Sequence, residues 1–225
     1  MHTNNATCFL LTDGQNDPIP PAQDGATGRD VNADASDGYA GFMFTKLNAQ
    51  GVALPPAATE WACIRDNVTD LVWENKTDDG GLYDKDDTFV WYEPDSRLGN
   101  GGLPGFQQPS EYDPSRTDQT CYGYVTGIPS SYCNTKAYIS RVNQAGRCNS
   151  NNWRLPTREE LHSLVSYEQS PRIDTQYFPN TVPAYYWTSV PYAYLNKAVW
   201  AINFQQGGGS PWEKQYAHAV RLVHN

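Results

Sequence analysis

Trp153-Arg154-Leu155-Pro156-Thr157-Arg158-Glu159-Glu160-Leu161 reads first as the start of a helix. Thr157 is placed to accept the amide hydrogen of Glu160, and Glu160 to reach back to the amide of Thr157. That exchange is a capping box, and Pro156 just outside it sets the entry angle. Leu161, Leu164 and Val165 follow at helical spacing, which predicts a short helix to about Tyr167 with one buried face. Trp153 and Leu155 are expected to anchor that helix to a sheet. The stretch therefore speaks of architecture before it speaks of chemistry.

Outward from this stretch, residues 134 to 145 form a second predicted helix. Tyr138, Val142 and Ala145 line one face, and Gly146 supplies a left-handed C-terminal cap. Downstream, apolar runs predict three strands, over 185–188 (with Trp187), 198–204 and 219–223. The Gly207-Gly208-Gly209 run between the last two is a loop tip or hairpin turn. Upstream, residues 41–47 alternate as a strand, and 61–67 and 71–74 flank the turn Val68-Thr69-Asp70 as a β-hairpin. Phe89-Val90-Trp91-Tyr92 is apolar and expected to be buried. Residues 93 to 131 form a long Gly-, Pro- and Tyr-rich loop, and a loop of that length in a compact domain is usually functional. Residues 1–40 are polar and aperiodic and read as an N-terminal extension, packed on a folded domain spanning 41–225.

Composition narrows the function. The 225-residue chain has a net charge of −9, which argues against general binding to DNA, RNA or sulfated polysaccharide, partners that need Lys and Arg for neutralisation. No stretch is long and apolar enough to cross a membrane as a helix. Met1-His2-Thr3-Asn4-Asn5 has neither a basic n-region nor an apolar h-region. The chain is thus expected to be cytosolic or to have lost its signal, and five cysteines with few lysines favour a secreted or cell-surface location. Among 15 Tyr, 7 Trp and 7 Phe, most rings are expected in the core.

Cys8, Cys63, Cys121, Cys133 and Cys148 contain no Cys-x-x-Cys pair, so disulfides are preferred over zinc. A helix fills most of the gap between Cys133 and Cys148, which puts its ends roughly 15 Å apart, whereas a disulfide needs Cα atoms about 5.5 Å apart. Cys121–Cys133, across the Gly127-Ile128-Pro129 turn, with Cys63–Cys148 is the easier pairing, and Cys8 is left over.

Two acidic segments are candidates for calcium. Asp30-x-Asn32-x-Asp34-x-Ser36 places oxygen atoms at every second position, but Ala35 stands where the loop glycine belongs and Gly41 where a bidentate Glu belongs. The loop from Asp78 to Asp87 contains Asp84 and Asp86 among five aspartates. Either segment also suits a solvated acidic turn.

Catalytic readings are poor. His162 lies beside Glu159 and Glu160 on a predicted solvated face, no Gly-x-Ser-x-Gly elbow or His-Glu-x-x-His site occurs, and the triple glycine lacks the Lys-Ser/Thr of a phosphate cradle. No enzymatic activity is expected. Arg154 and Arg221, each in an apolar stretch, suit pairing with Glu74 or Glu160. Binding residues are instead expected in the loops flanking the last strands: Tyr192, Tyr194, Asn196, Gln205, Gln206, Trp212, Lys214 and Tyr216. Rings stack on sugar faces and amides bond hydroxyls, and the same set would serve as half-buried loop anchors.

Arg65-Asp66-Asn67-Val68-Thr69-Asp70-Leu71-Val72-Trp73-Glu74, the Trp153–Leu161 stretch, Tyr186-Trp187-Thr188-Ser189, the 198–204 strand and Val220-Arg221-Leu222-Val223 occur together. In this order the chain resembles, over about residues 61 to 224, the C-terminal domain family of the Legionella collagen-like protein. The Thr69-Asp70 pair departs from the glycine often found at position 70. The resemblance implies a C-type-lectin-like α+β fold, two helices packed on a small twisted antiparallel sheet with long loops. It also implies a bacterial or phage setting, surface display or secretion, adhesin-like binding of a glycan or protein receptor, and a homo-trimer. Alternatives are a fibre-tip or trimerising cap, and a hypervariable receptor-binding protein with diversity in its C-terminal loops.

Overall fold

The computed structural model describes residues 36–38 and 41–225. Its strands are β1 (Phe44–Leu47), β2 (Cys63–Asp66), β3 (Val72–Glu74), β4 (Phe89–Val90), β5 (Tyr185–Pro191), β6 (Ala198–Asn203), β7 (Gly209–Glu213), β8 (Ala217–His218) and β9 (Val223–His224). Its α-helices are α1 (Thr135–Ala145) and α2 (Arg158–His162). The strands form three antiparallel sheets, in the orders β1-β2-β3-β9, β4-β8 and β5-β6-β7.

Strand side chains alternate between faces, and here the alternation feeds two cores. Cys63, Val72, Trp187, Val199, Ala201 and Leu222 join Trp91, Tyr138, Val142 and Trp153 in one core. Their neighbours Ile64, Trp73, Tyr186, Ile202 and Val223 join Phe44, Leu161, Tyr177 and Phe178 in the other. Each central strand is thus buried on both faces. Helix α1 covers the first core. Asn134 caps it, accepting the Ala137 amide at 2.8 Å, and Gly146 ends it at φ 65°. Tyr138 and Val142 are buried, with Ala137 beside them, while Ala145, expected on the same face, is exposed.

The C-type-lectin-like expectation of two helices on one small sheet is overturned: the chain builds three small sheets, one helix of 11 residues and one of 5. Two local causes are visible. Helix α2 stops at His162 rather than Tyr167, because the Ser163 hydroxyl donates to Glu160 O at 2.7 Å while its amide is shared among three preceding carbonyls, a tightening that ends a helix. Leu164 reaches the core from the turn that follows. The apolar run expected as a single strand over 219–223 is divided between two sheets: Ala219 bridges Tyr186 of β5, and Val223 opens β9, which pairs with β3, while β8 just before the run pairs with β4. A strand hidden by Gly and Pro, β7, completes the third sheet, and the triple glycine leads into it from the β6–β7 turn.

The Cys63–Cys148 and Cys121–Cys133 disulfides are both present, with Cα separations of 6.5 and 5.5 Å. Between the two cores lies a polar centre. The buried Glu74 carboxylate accepts the Lys76 ammonium (3.3 Å), the Leu222 amide (3.0 Å) and the Tyr138 hydroxyl. Arg221 donates to the Glu74 carbonyl at 2.6 Å and to Thr181 Oγ1 at 2.7 Å, so it meets the backbone of Glu74 rather than its carboxylate. Burial and the adjoining Glu74 push the Tyr138 hydroxyl well above its usual range, and burial lowers Lys76. The opening stretch ties the helix to the sheets. Thr157 Oγ1 accepts the Glu160 amide at 3.1 Å, Glu160 Oε2 accepts the Thr157 amide at 2.7 Å, and Arg154 grips both Glu160 oxygens at 2.7 and 2.8 Å. Arg154 also exchanges backbone bonds with Val223 of β9, and Trp153 is buried with its indole nitrogen on Arg147 O.

Candidate functional site

Strands β6 and β7 run out together where Ala198 faces Glu213, and the loops beyond that end are held by one buried side chain. Lys214 is 1% exposed, and its ammonium donates to Asn100 O (2.8 Å), Leu103 O (2.7 Å) and Asn196 O (2.7 Å). An ammonium has three donors and no acceptor, so three carbonyls satisfy it completely. Burial pulls it down to about 8, which leaves it charged at neutral pH. The three acceptors belong to the long 93–131 loop and to the β5–β6 loop, so Lys214 knots separate segments rather than facing a ligand. Gly101 lies in the same knot at φ 65°, where an added Cβ would meet Pro191 Cβ at 2.9 Å, and only glycine allows that approach.

Around the knot the rings are displayed. Tyr194 is 89% exposed, and its ring is 5.5 Å from Tyr192, which stands 5.3 Å from Trp200 of β6. Arg158, one residue past the helix cap, lies 4.0 Å over Trp200. The result is a continuous file of three rings closed by a guanidinium, a geometry in which the cation is attracted to the ring face. On the other side of the loop, Tyr216 is exposed and Trp212 is half-buried. Trp212 packs against Tyr185, Tyr216 and His218 at 4.9, 5.5 and 4.9 Å. Arg116 stands 6.0 Å from the Tyr216 ring and donates to Gln215 O at 2.6 Å. Lys197 and Glu213 pair at 2.6 Å between the two groups, a contact that raises the lysine and lowers the carboxylate.

Tyr192, Tyr194 and Asn196 are therefore brought together on the loop that Lys214 fastens, while Tyr216 and the half-buried Trp212 form a second ring group on its other side. Gln205 and Gln206 join neither group: they are exposed in the β6–β7 turn at the opposite end of the sheet, roughly 17 Å away at strand rise. Trp200 and Arg158 escaped sequence reasoning. The available signal was alternation, since Trp200 sits between Val199 and Ala201 and so faces away from their core.

The acidic segments fare differently. Asp30, Asn32 and Asp34 lie outside the described residues. Asp84 is buried, and its carboxylate accepts the amides of Asp79 (2.9 Å), Gly80 (2.6 Å) and Asp86 (2.9 Å). Asp86 pairs with Lys85 at 3.2 Å, and Lys85 also pairs with Asp78 at 2.7 Å. Among the described residues no group of three or more His, Cys, Asp or Glu side chains is arranged to hold a metal ion. His162 is exposed, 3.4 Å from the Tyr167 hydroxyl. In the cluster beneath Trp212, His218 is held down to about 4 by burial. Its Nε2 and the Trp212 Nε1 are both buried without a partner.

No curated protein and no solved structure matches the chain. The model of the Lcl C-terminal domain matches residues 62–224, a span holding both disulfides, every strand except β1, and the Lys214 loops. The chain belongs to the Lcl (Legionella collagen-like protein) C-terminal domain family.

Proposed function

We propose that this domain is a binding module of a bacterial surface or secreted protein, that it recognises a glycan through the loops around Lys214, and that it performs no chemistry on its ligand. The family is consistent with a surface-associated or binding role. Two disulfides, and the absence among the described residues of a helix able to cross a membrane, are compatible with an extracellular setting. The observation that carries the reading is the file Tyr194–Tyr192–Trp200–Arg158, with Tyr194 and Arg158 exposed, Tyr192 and Trp200 half-buried, and the two tyrosines set on the β5–β6 loop that Lys214 fastens through Asn196 O. Rings held in place lose little freedom on stacking against a sugar.

The test is a glycan array probed with the wild-type chain and with Tyr194→Ala, a substitution at a solvent-facing ring that leaves the cores intact. Tyr194→Ala is expected to weaken the best glycan about ten-fold, equivalent to ~1.4 kcal/mol. Retention of no glycan by the wild-type chain, or equal retention by the variant, would contradict the proposal. A second reading, a trimerising cap, rests on one specific feature. The loop closed by Cys121–Cys133 exposes Tyr122, Val125 and Ile128 together. It predicts a concentration-dependent mass by light scattering that Val125→Asp abolishes.

A further inference from the structure

A second place in the fold holds a charge with no counter-charge. Arg147, in the turn after α1 and next to the Cys63–Cys148 disulfide, is 9% exposed. Its Nε donates to Ala62 O at 3.1 Å, its Nη2 donates to Ala62 O at 2.9 Å and to Asn75 O at 2.7 Å, and its guanidinium lies 3.5 Å from the Tyr83 ring. A guanidinium has five N–H donors. Three are used here, and the two on Nη1 have no acceptor. Among the described residues no carboxylate forms an ion pair with it. Charged side chains buried to this degree are normally paired.

Arg147 also lines a cleft of about 390 Å³, with Ala49, Gln50, Tyr83, Ala145 and Asn149 around it. Nη1 is not among the nitrogens sealed from solvent. The volume lies in the range that holds a small molecule. The other lining groups are uncharged, so one negative charge is matched and two would not be. Gln50 and Asn149 offer amides, and the end of α1 offers backbone carbonyls that its own hydrogen bonds leave open. These suit hydroxyl groups, and the alanine methyls suit a compact body.

We infer that this cleft binds a small hydroxylated carboxylate of sugar-acid size, with the carboxylate accepting from Arg147 Nη1 and the hydroxyls meeting the amides and the helix end. It is a site separate from the Lys214 loops.

The test is a calorimetric and amide-shift titration of the full chain with D-glucuronate and, in parallel, with its methyl ester, which keeps the body and removes the charge. Arg147→Gln also removes bonds to two backbone carbonyls and endangers the fold, so the decisive variant is Ala145→Phe, which fills the cleft from an exposed helix end. Glucuronate is expected to saturate shifts at the cleft residues, to bind at least ten-fold tighter than the ester, and to lose at least ten-fold on Ala145→Phe. Binding that depends on Tyr194 is expected to be unchanged in that variant. Equal binding of the ester, unchanged binding of glucuronate to Ala145→Phe, or no saturation up to about 50 mM would overturn the inference.

Discussion

Replacing Lys214 with Met keeps the length and the apolar stem of the side chain and removes its three donors. The Asn100, Leu103 and Asn196 carbonyls, each 2.7–2.8 Å from the ammonium, then lose their partner. A buried acceptor left unsatisfied costs about 1–3 kcal/mol, a gross loss of roughly 3–9 kcal/mol over the three. Against this stands the desolvation of the buried ammonium, several kcal/mol that the methionine recovers. Water reaching the freed loops also offsets part of the loss. The net expectation is a loss of about 2–4 kcal/mol. The assay is urea denaturation at pH 7, reading the midpoint at constant slope, together with hydrogen exchange. Exchange is expected to accelerate in the 98–105 and 192–197 loops before it changes in β5–β7, because the knot holds those loops and not the sheet. A Lys214→Met chain within about 0.5 kcal/mol of wild type, with unchanged exchange in both loops, would refute the idea that this lysine organises the surface.

Other expectations follow from the same geometry. His218 carries a folded value of about 4 against an ordinary 6.5, so the unfolded chain binds the extra proton between those values and stability falls as pH drops from 6.5 to 4. The loss approaches ~3 kcal/mol at pH 4, and His218→Phe is expected to flatten this window in denaturation series at pH 7, 5.5 and 4. Removing Cys63–Cys148, which spans 85 residues, is expected to cost ~4.5 kcal/mol, and removing Cys121–Cys133, which spans 12, ~3 kcal/mol, in the chain-entropy account. Paired Cys→Ser variants under urea test that order. Thr157→Ala is expected to cost about 1 kcal/mol as a lost cap, and Glu160→Ala more, since Glu160 also holds Arg154. Equal costs would show the ion pair to be idle.

What the sequence made legible was local. The capping box at Thr157 and Glu160 depends on residues three apart. The Cys121–Cys133 disulfide depends on a short turn, and the C-terminal cap of α1 on Gly146. These are set within a few residues, and the structure contains each of them. The global arrangement was not legible. Strands of two to four residues carry too little alternation to reveal which sheet they join, and burial on both faces erases the polar half of the pattern. The run ending in Val220-Arg221-Leu222-Val223 looks like one strand because its division between two sheets is decided by distant partners. The site followed the same rule. Tyr192, Tyr194 and Tyr216 were suggested by composition and position. Lys214 looked like a ligand-facing charge because its three acceptors are backbone carbonyls far away in the chain, which no side-chain pattern announces. Arg158 and Trp200 meet only because α2 lies on the β5–β6–β7 sheet.

The central claim is that the ring file beside the Lys214 knot is where this family member meets its ligand. The most direct measurement is an amide-shift titration of the wild-type chain with the strongest glycan from the array. The account predicts that the largest shifts fall in residues 192–200 and around Arg158 and Tyr216, and that they vanish in a Tyr192→Ala, Tyr194→Ala double variant whose urea midpoint is unchanged. Saturable shifts centred elsewhere, or shifts that survive in the double variant, would contradict it.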